Sequence, residues 1–231
     1  MVDVMNSMEG FERNEPTEML KIKEKFDNAY LEMSKDSSFP MKPQRIIRDV
    51  QMAMGQKDIL VSDVGAHKMW IARLYNCYEP NTCIISNGFA TMGIGVPGAI
   101  SAKLIYPEKR VITITGDGGF MMNSQELETA VRLKLNIVVL IMNDSAYGLI
   151  KWKQMDQYGE TCYTDFTNPD FVKLAEAMHC IGYRVTKAEE LSSYLEQAFQ
   201  QDVPVIIDVP VNYDENLKLS EELKNNDARL R

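Results

Sequence analysis

The chain has 231 residues, of which 45% are hydrophobic and 25% charged, with a formal net charge of −8 at pH 7. That length exceeds the usual domain of roughly 100–150 residues and suits one large domain with extensions, or a domain plus a fragment. No apolar run approaches the roughly 20 residues of a bilayer span, and the acidic balance argues against a nucleic-acid surface, which needs clustered Lys and Arg.

Met1 to Gly10 lacks the basic start and apolar core of a signal peptide, so the cytoplasm is the expected compartment. Residues 1–15 are polar and Met-rich without a clear period. From Pro16 to Met33 the chain is charged and helix-prone, and Met19, Ile22, Phe26 and Tyr30 recur three or four apart, which predicts one amphipathic helix. Ser34 to Pro43, with two prolines and three serines, reads as a linker. The organisation expected is an N-terminal extension over 1–39, a main domain over 40–219 and a polar tail over 220–231.

From Pro43 the pattern alternates between helix and short buried strand. Helices are predicted over about Pro43–Met54, His67–Tyr75, Gly95–Ile105 and Ser124–Leu133. Strands are predicted at Ile59–Ser62, Cys83–Ser86, Val111–Thr115 and Ile137–Met142. Asn168-Pro169 makes an N-cap and first helical residue for a helix through Met178, and Thr186-Lys187-Ala188-Glu189 is a capping box opening another through Phe199. The strand Val205–Val209 closes the domain. Uniformly apolar strands alternating with helices specify an α/β fold, a parallel sheet with helices on both faces.

Ligands of such sheets bind beyond the carboxyl ends of the strands, where Asp63, Asn87, Asp117 and Asp144 all fall. The segment Gly116-Asp117-Gly118-Gly119 follows one strand, and Asp144 comes 27 positions after Asp117, at the end of the next. A strand, turn, helix and returning strand take roughly 30 residues, so the two acids are expected side by side. Glycine amides can approach phosphate oxygens, and two carboxylates can share a hard cation such as Mg²⁺. A cap formed by Asn123 with Glu126 would explain part of the segment, but not an acid set between glycines. Uncompensated charges there would repel, and a cation would relieve them.

Two other patterns carry less. Gly93-Ile94-Gly95-Val96-Pro97-Gly98 matches the dinucleotide fingerprint G-x-G-x-x-G, yet six loop residues separate it from the preceding strand, so it reads as helix packing. The four cysteines form no C-x-x-C pair and there are only two histidines, so they read as reduced and structural rather than as zinc ligands or nucleophiles.

The glycine–aspartate segment with its partner at Asp144 resembles the thiamine diphosphate (ThDP)-dependent enzymes. The stretches Gly116 to Thr129, Asp63 to Trp70 and Gly148 to Gln154 narrow the likeness to the C-terminal ThDP-binding domain of catabolic, FAD-independent acetolactate synthases, over about Phe39 to Leu219. The resemblance implies ThDP and Mg²⁺ as cofactors. Asp117, Asp144 and the carbonyl of Ala146 would be metal ligands. Gly65, Ala66, His67, Gly116, Gly118 and Gly119 would line the diphosphate, with Tyr147 and Gly148 shaping the adjoining loop. Met92 would support the bent cofactor, in which the aminopyrimidine activates thiazolium C2. Read as residues alone, His67 fits an ordinary helix entry and Met92 an ordinary core methionine.

The implied reaction is decarboxylation of pyruvate and condensation with a second pyruvate to 2-acetolactate. In that family the activating glutamate sits on a separate pyrimidine-binding domain, so no catalytic residue is assignable here and the chain alone is expected to be inactive. That domain, from another chain or a missing N-terminal region, is the expected partner, with a homo-oligomer in the full enzyme. A non-catalytic ThDP-binding or oligomerising module, and another 2-keto-acid decarboxylase or carboligase, are the alternatives.

Overall fold

The computed structural model describes residues 30–221 and, before them, Leu20, Lys21, Glu24 and Asn28. Strands β1 (Ile59–Ser62), β2 (Cys83–Ile85), β3 (Val111–Gly116), β4 (Val138–Asn143), β5 (Ile181–Arg184) and β6 (Val205–Pro210) form one sheet in the order β2-β1-β3-β4-β6-β5. All five pairings are parallel. Such a sheet must bury both faces, and the apolar strands supply both. Leu60, Ile112, Ile114, Leu140 and Ile207 point into one core, with α1 (Pro43–Ala53), α2 (Ala66–Leu74) and α8 (Glu190–Ala198) packed over it. Their neighbours Ile59, Val61, Val111, Val139, Ile141 and Ile206 point into the other, under α3 (Gly95–Ile105), α5 (Leu127–Arg132) and α7 (Phe171–Ala177). Among the described residues no helix is long and apolar enough to cross a membrane.

The strand order positions the site. After β1 the chain runs outward to β2, then returns to lay β3 on the other side of β1. The connections leaving β1 and β3 therefore part in opposite directions, and a crevice opens beyond their carboxyl ends.

Several local expectations need correction. The Gly116–Gly119 turn is instead the start of a short helix, α4 (Asp117–Met122). The single helix expected over Ser124–Leu133 splits into a 3₁₀ turn, Ser124–Glu126, and α5. Asn123 makes no side-chain cap: its Nδ2 donates to the Gly93 carbonyl at 2.8 Å and its Oδ1 accepts from Gln125 Nε2 at 3.2 Å. Asp170, not Asn168, caps α7 through the amides of Val172 and Lys173. The capping box expected at Thr186–Glu189 does not form: α8 starts at Glu190, its N-cap Glu189 makes no side-chain cap, and Glu190 Oε2 instead accepts from Thr186 N and Oγ1. Two elements were not anticipated, the helix α6 (Gly148–Tyr158) and the edge strand β5.

At the front of the domain the expected linker is packed down. Ser34 is buried, Lys42 Nζ pairs with Asp36 at 2.8 Å, and Arg45 donates to the Asp36 carbonyl. Of the amphipathic helix expected over 16–33, the described residues are helical, while Met19, Ile22 and Phe26 lie outside them. All four cysteines are free, but Cys77 and Cys162 are exposed and only Cys180 is fully buried.

Candidate functional site

Four segments converge at the crevice. Gly65, Ala66 and His67 follow β1, and Met92 precedes α3. Gly116, Asp117, Gly118 and Gly119 join β3 to α4, and Asp144, Ala146, Tyr147 and Gly148 follow β4. Every one of these twelve residues lines a single cavity of about 230 Å³. The space is kept open by missing side chains. A Cβ on Gly148 would lie 2.5 Å from Asp144 Oδ2, and one on Gly118 would lie 2.9 Å from the Tyr147 ring.

Asp117 is buried and its carboxylate is closely held. Oδ1 accepts from Gly118 N at 2.9 Å, and Oδ2 from Ser145 N at 2.7 Å and Asn168 Nδ2 at 2.6 Å. Ser145 reaches it from the left-handed region, φ 53°, a conformation supported by Asn143 Oδ1 at 3.2 Å from the same amide. Burial raises the Asp117 pKa while the Asn168, Gly118 and Ser145 hydrogen bonds oppose the rise. Asp144 is pushed up to about 7, first by burial and then by the charge of Asp117. Two carboxyl groups repelling each other at one wall of a cavity form a site whose charge a cation would complete.

The donor set suits a hard cation. Among the described residues no three His, Cys, Asp or Glu side chains gather as a cage. Mg²⁺ commonly takes one or two carboxylates and completes its shell with phosphate oxygens and waters. Asp117 and Asp144 can serve as the carboxylates, with the Ala146 backbone beside them.

His67 also lines the cavity, beside Gly116; it is 1% exposed, and its Nε2 has no hydrogen-bond partner. Burial lowers its pKa to about 4 in spite of the neighbouring Asp63. A buried ring nitrogen without a partner, in a cavity lined by glycines, fits a polar group of a ligand.

The glycine fingerprint at 93–98 takes no part in a phosphate site. The amides of Gly93 and Gly95 donate to the two oxygens of Asp63, at 2.9 and 3.1 Å, so a carboxylate of the protein already occupies them. Gly95 and Gly98 lie against Thr113 and Val61, in keeping with the helix-packing reading.

Sequence reasoning missed Tyr213, Asn168, Leu149 and Ile150. Tyr213, beyond β6, lines the cavity, and its phenol is raised well above the usual value by burial and then by Asp144 and Asp117. No local pattern marks it, since its neighbours come from a distant part of the chain. Leu149 and Ile150 enter because α6 begins at the cavity wall.

A parallel sheet with a carboxylate pair, glycine loops and an unpartnered histidine at its switch point defines an α/β domain with a ligand cavity beyond the carboxyl ends of its strands. Residues 63–209 match the family described as Thiamine pyrophosphate enzyme, C-terminal TPP binding domain, and the chain belongs to that family. It is 41% identical over 180 residues to the acetolactate synthase of Bacillus subtilis (strain 168), covering 78% of this chain and 32% of that protein. It is 36% identical over 187 residues to the catabolic acetolactate synthase of Raoultella terrigena, covering 81% and 34%. With the mitochondrial acetolactate synthase catalytic subunit of Saccharomyces cerevisiae it shares 37% over 196 residues, covering 83% and 28%. The chain thus spans about a third of the length of the relatives it matches.

Proposed function

We propose that residues 40–219 form the ThDP- and Mg²⁺-binding domain of a cytoplasmic acetolactate synthase, which decarboxylates pyruvate and condenses it with a second pyruvate. The observation that carries this reading is the convergence of Asp117, Asp144, His67 and the glycine loops on one cavity at the switch point. Asp117 and Asp144 would hold Mg²⁺ with the Ala146 carbonyl, and the metal would tie down both phosphates. Gly65, Ala66, Gly116, Gly118 and Gly119 would line the diphosphate, His67 would stand beside it with its unpartnered Nε2 turned to the ligand, and Met92 would set the bend of the cofactor. ThDP, when bound, supplies a nucleophilic carbon able to add to a 2-keto acid and stabilise the negative charge left by loss of CO₂.

No glutamate lines the cavity among the described residues, so the acid that activates the pyrimidine ring comes from another domain. Large apolar side chains exposed at the rim fit such a neighbour. Tyr147 is 41% and Ile150 52% exposed, and Phe89, next to the lining residue Ala90, is 99% exposed.

Calorimetric titration of the chain with ThDP tests the reading. Heat of binding is expected with Mg²⁺ and not with a chelator present. Asp117→Ala should abolish it while leaving the far-ultraviolet circular dichroism unchanged. Equal affinity in the variant would remove Asp117 from the site and overturn the assignment.

A further inference from the structure

Asn168 lies on a strap that the fold folds back over the loop after β4. Phe166 N donates to the Ser145 carbonyl at 3.0 Å, Tyr147 N donates to the Thr164 carbonyl at 2.9 Å, and Ala146 and Asp165 form an antiparallel bridge. This pairing delivers the Asn168 side chain to Asp117. Its Nδ2 lies 2.6 Å from Asp117 Oδ2 and 3.0 Å from Asn143 Oδ1. A flipped amide would set an oxygen against two oxygens, so the orientation is forced.

Behind it stands a second oriented amide. Asn143 Nδ2 donates to Asp208 Oδ1 at 2.9 Å, and Arg184 Nε donates to the other oxygen of Asp208 at 2.9 Å. Asp208 is buried, and a carboxylate paired with a guanidinium accepts only, so Asn143 must turn its Oδ1 toward Asn168 and Ser145.

We propose that Asn168 is a positioning residue of the metal site, which saturates Asp117 Oδ2 and leaves Oδ1 the oxygen open to a cation, with Asn143, Asp208 and Arg184 fixing its amide from behind. The inference rests on the Mg²⁺ reading given above. Each carboxylate oxygen offers about two acceptor sites. Oδ2 fills both from Ser145 and Asn168, while Oδ1 receives Gly118 N alone. Stability by itself gives a weak reason for an asparagine at 168. The cap of α7 comes from Asp170, and Asn168 Oδ1 is buried with no partner, a cost that an apolar side chain of similar shape would not carry. Partners that orient ligands in this way are commonly worth about 10–100-fold in metal affinity.

The test is a titration of the 231-residue chain with Mn²⁺ in the presence of ThDP, following the free-ion signal by electron paramagnetic resonance. Asn168→Leu is expected to weaken Mn²⁺ binding about 10–100-fold and to alter the line shape of the bound ion, with the melting temperature of the metal-free protein moved by only a few degrees. Asp208→Ala should weaken binding in the parent but add nothing in the Asn168→Leu background, because both act through one amide. Unchanged affinity in Asn168→Leu, or additive losses in the double variant, overturns the inference. If the parent chain takes up no Mn²⁺ with ThDP, the functional reading fails first and the inference with it.

Discussion

His67 is neutral across the physiological range because burial holds its pKa near 4, against 6.5 for a free imidazole. Below pH 6.5 the unfolded chain takes up a proton that the folded chain refuses, so the stability this group contributes is complete above 6.5 and lost as pH falls toward 4. The slope is at most about 1.4 kcal/mol per pH unit. Asp144 runs the other way. Its pKa is raised to about 7, so its contribution is present below the ordinary carboxyl range and lost as pH rises through 7. The diagnostic is therefore the difference between parent and variant. In urea titrations of the metal-free protein, His67→Gln is expected to lose about 1–2 kcal/mol less than the parent between pH 7 and pH 5. Parallel losses would mean that His67 does not titrate as its burial implies.

At the scale of elements, Asp63 binds β1, α3 and β3 together. Its carboxylate accepts from Val64 N at 2.6 Å, from Gly93 and Gly95 at the entry to α3, and from the Thr115 hydroxyl at 3.1 Å. Removing it leaves buried donors without an acceptor, each a loss of about 1–3 kcal/mol unless water enters. Asp63→Ala should thus destabilise the chain by roughly 2–4 kcal/mol in chemical denaturation at pH 7. A loss below about 0.5 kcal/mol, the size of an ordinary surface substitution, would show that solvent replaces the carboxylate. The same arrangement explains why the Gly93–Gly98 fingerprint misleads. Its amides are arranged as for an outside ligand, and the side chain of Asp63 takes that place.

For the whole molecule, the described residues lining the cavity include two aspartates, a histidine and several glycines but no glutamate, and large apolar side chains at its rim are exposed. Purified alone, the chain is expected to convert pyruvate to acetolactate at a negligible rate, read as acetoin after acid decarboxylation. Adding a pyrimidine-binding domain from an acetolactate synthase should restore turnover. Rapid acetoin formation by the chain alone would overturn the division of labour proposed here, and ThDP binding without turnover after complementation would favour a non-catalytic module. Product analysis with pyruvate and 2-ketobutyrate then separates acetolactate chemistry from other carboligations.

The parallel sheet could be read from the chain because β1, β3, β4 and β6 carry apolar residues on both faces, which a sheet buried on both sides requires. The Asp117 and Asp144 pairing could be read because a β-α-β unit has nearly constant length and returns its second strand beside the first. The edge strand β5 could not, since Ile181-Gly182-Tyr183-Arg184 is neither continuously apolar nor fully buried. Nor could α6, whose buried side chain is Trp152 and whose remaining residues show no clean stripe. Asn168 carried the signature of a helix cap, and folding gave the cap to Asp170 and its amide to Asp117. Spacing along the chain carries which strand ends meet. Which side chains then share a proton, a donor or a cavity wall depends on contacts between residues far apart in the chain, and those arise only when the sheet is assembled.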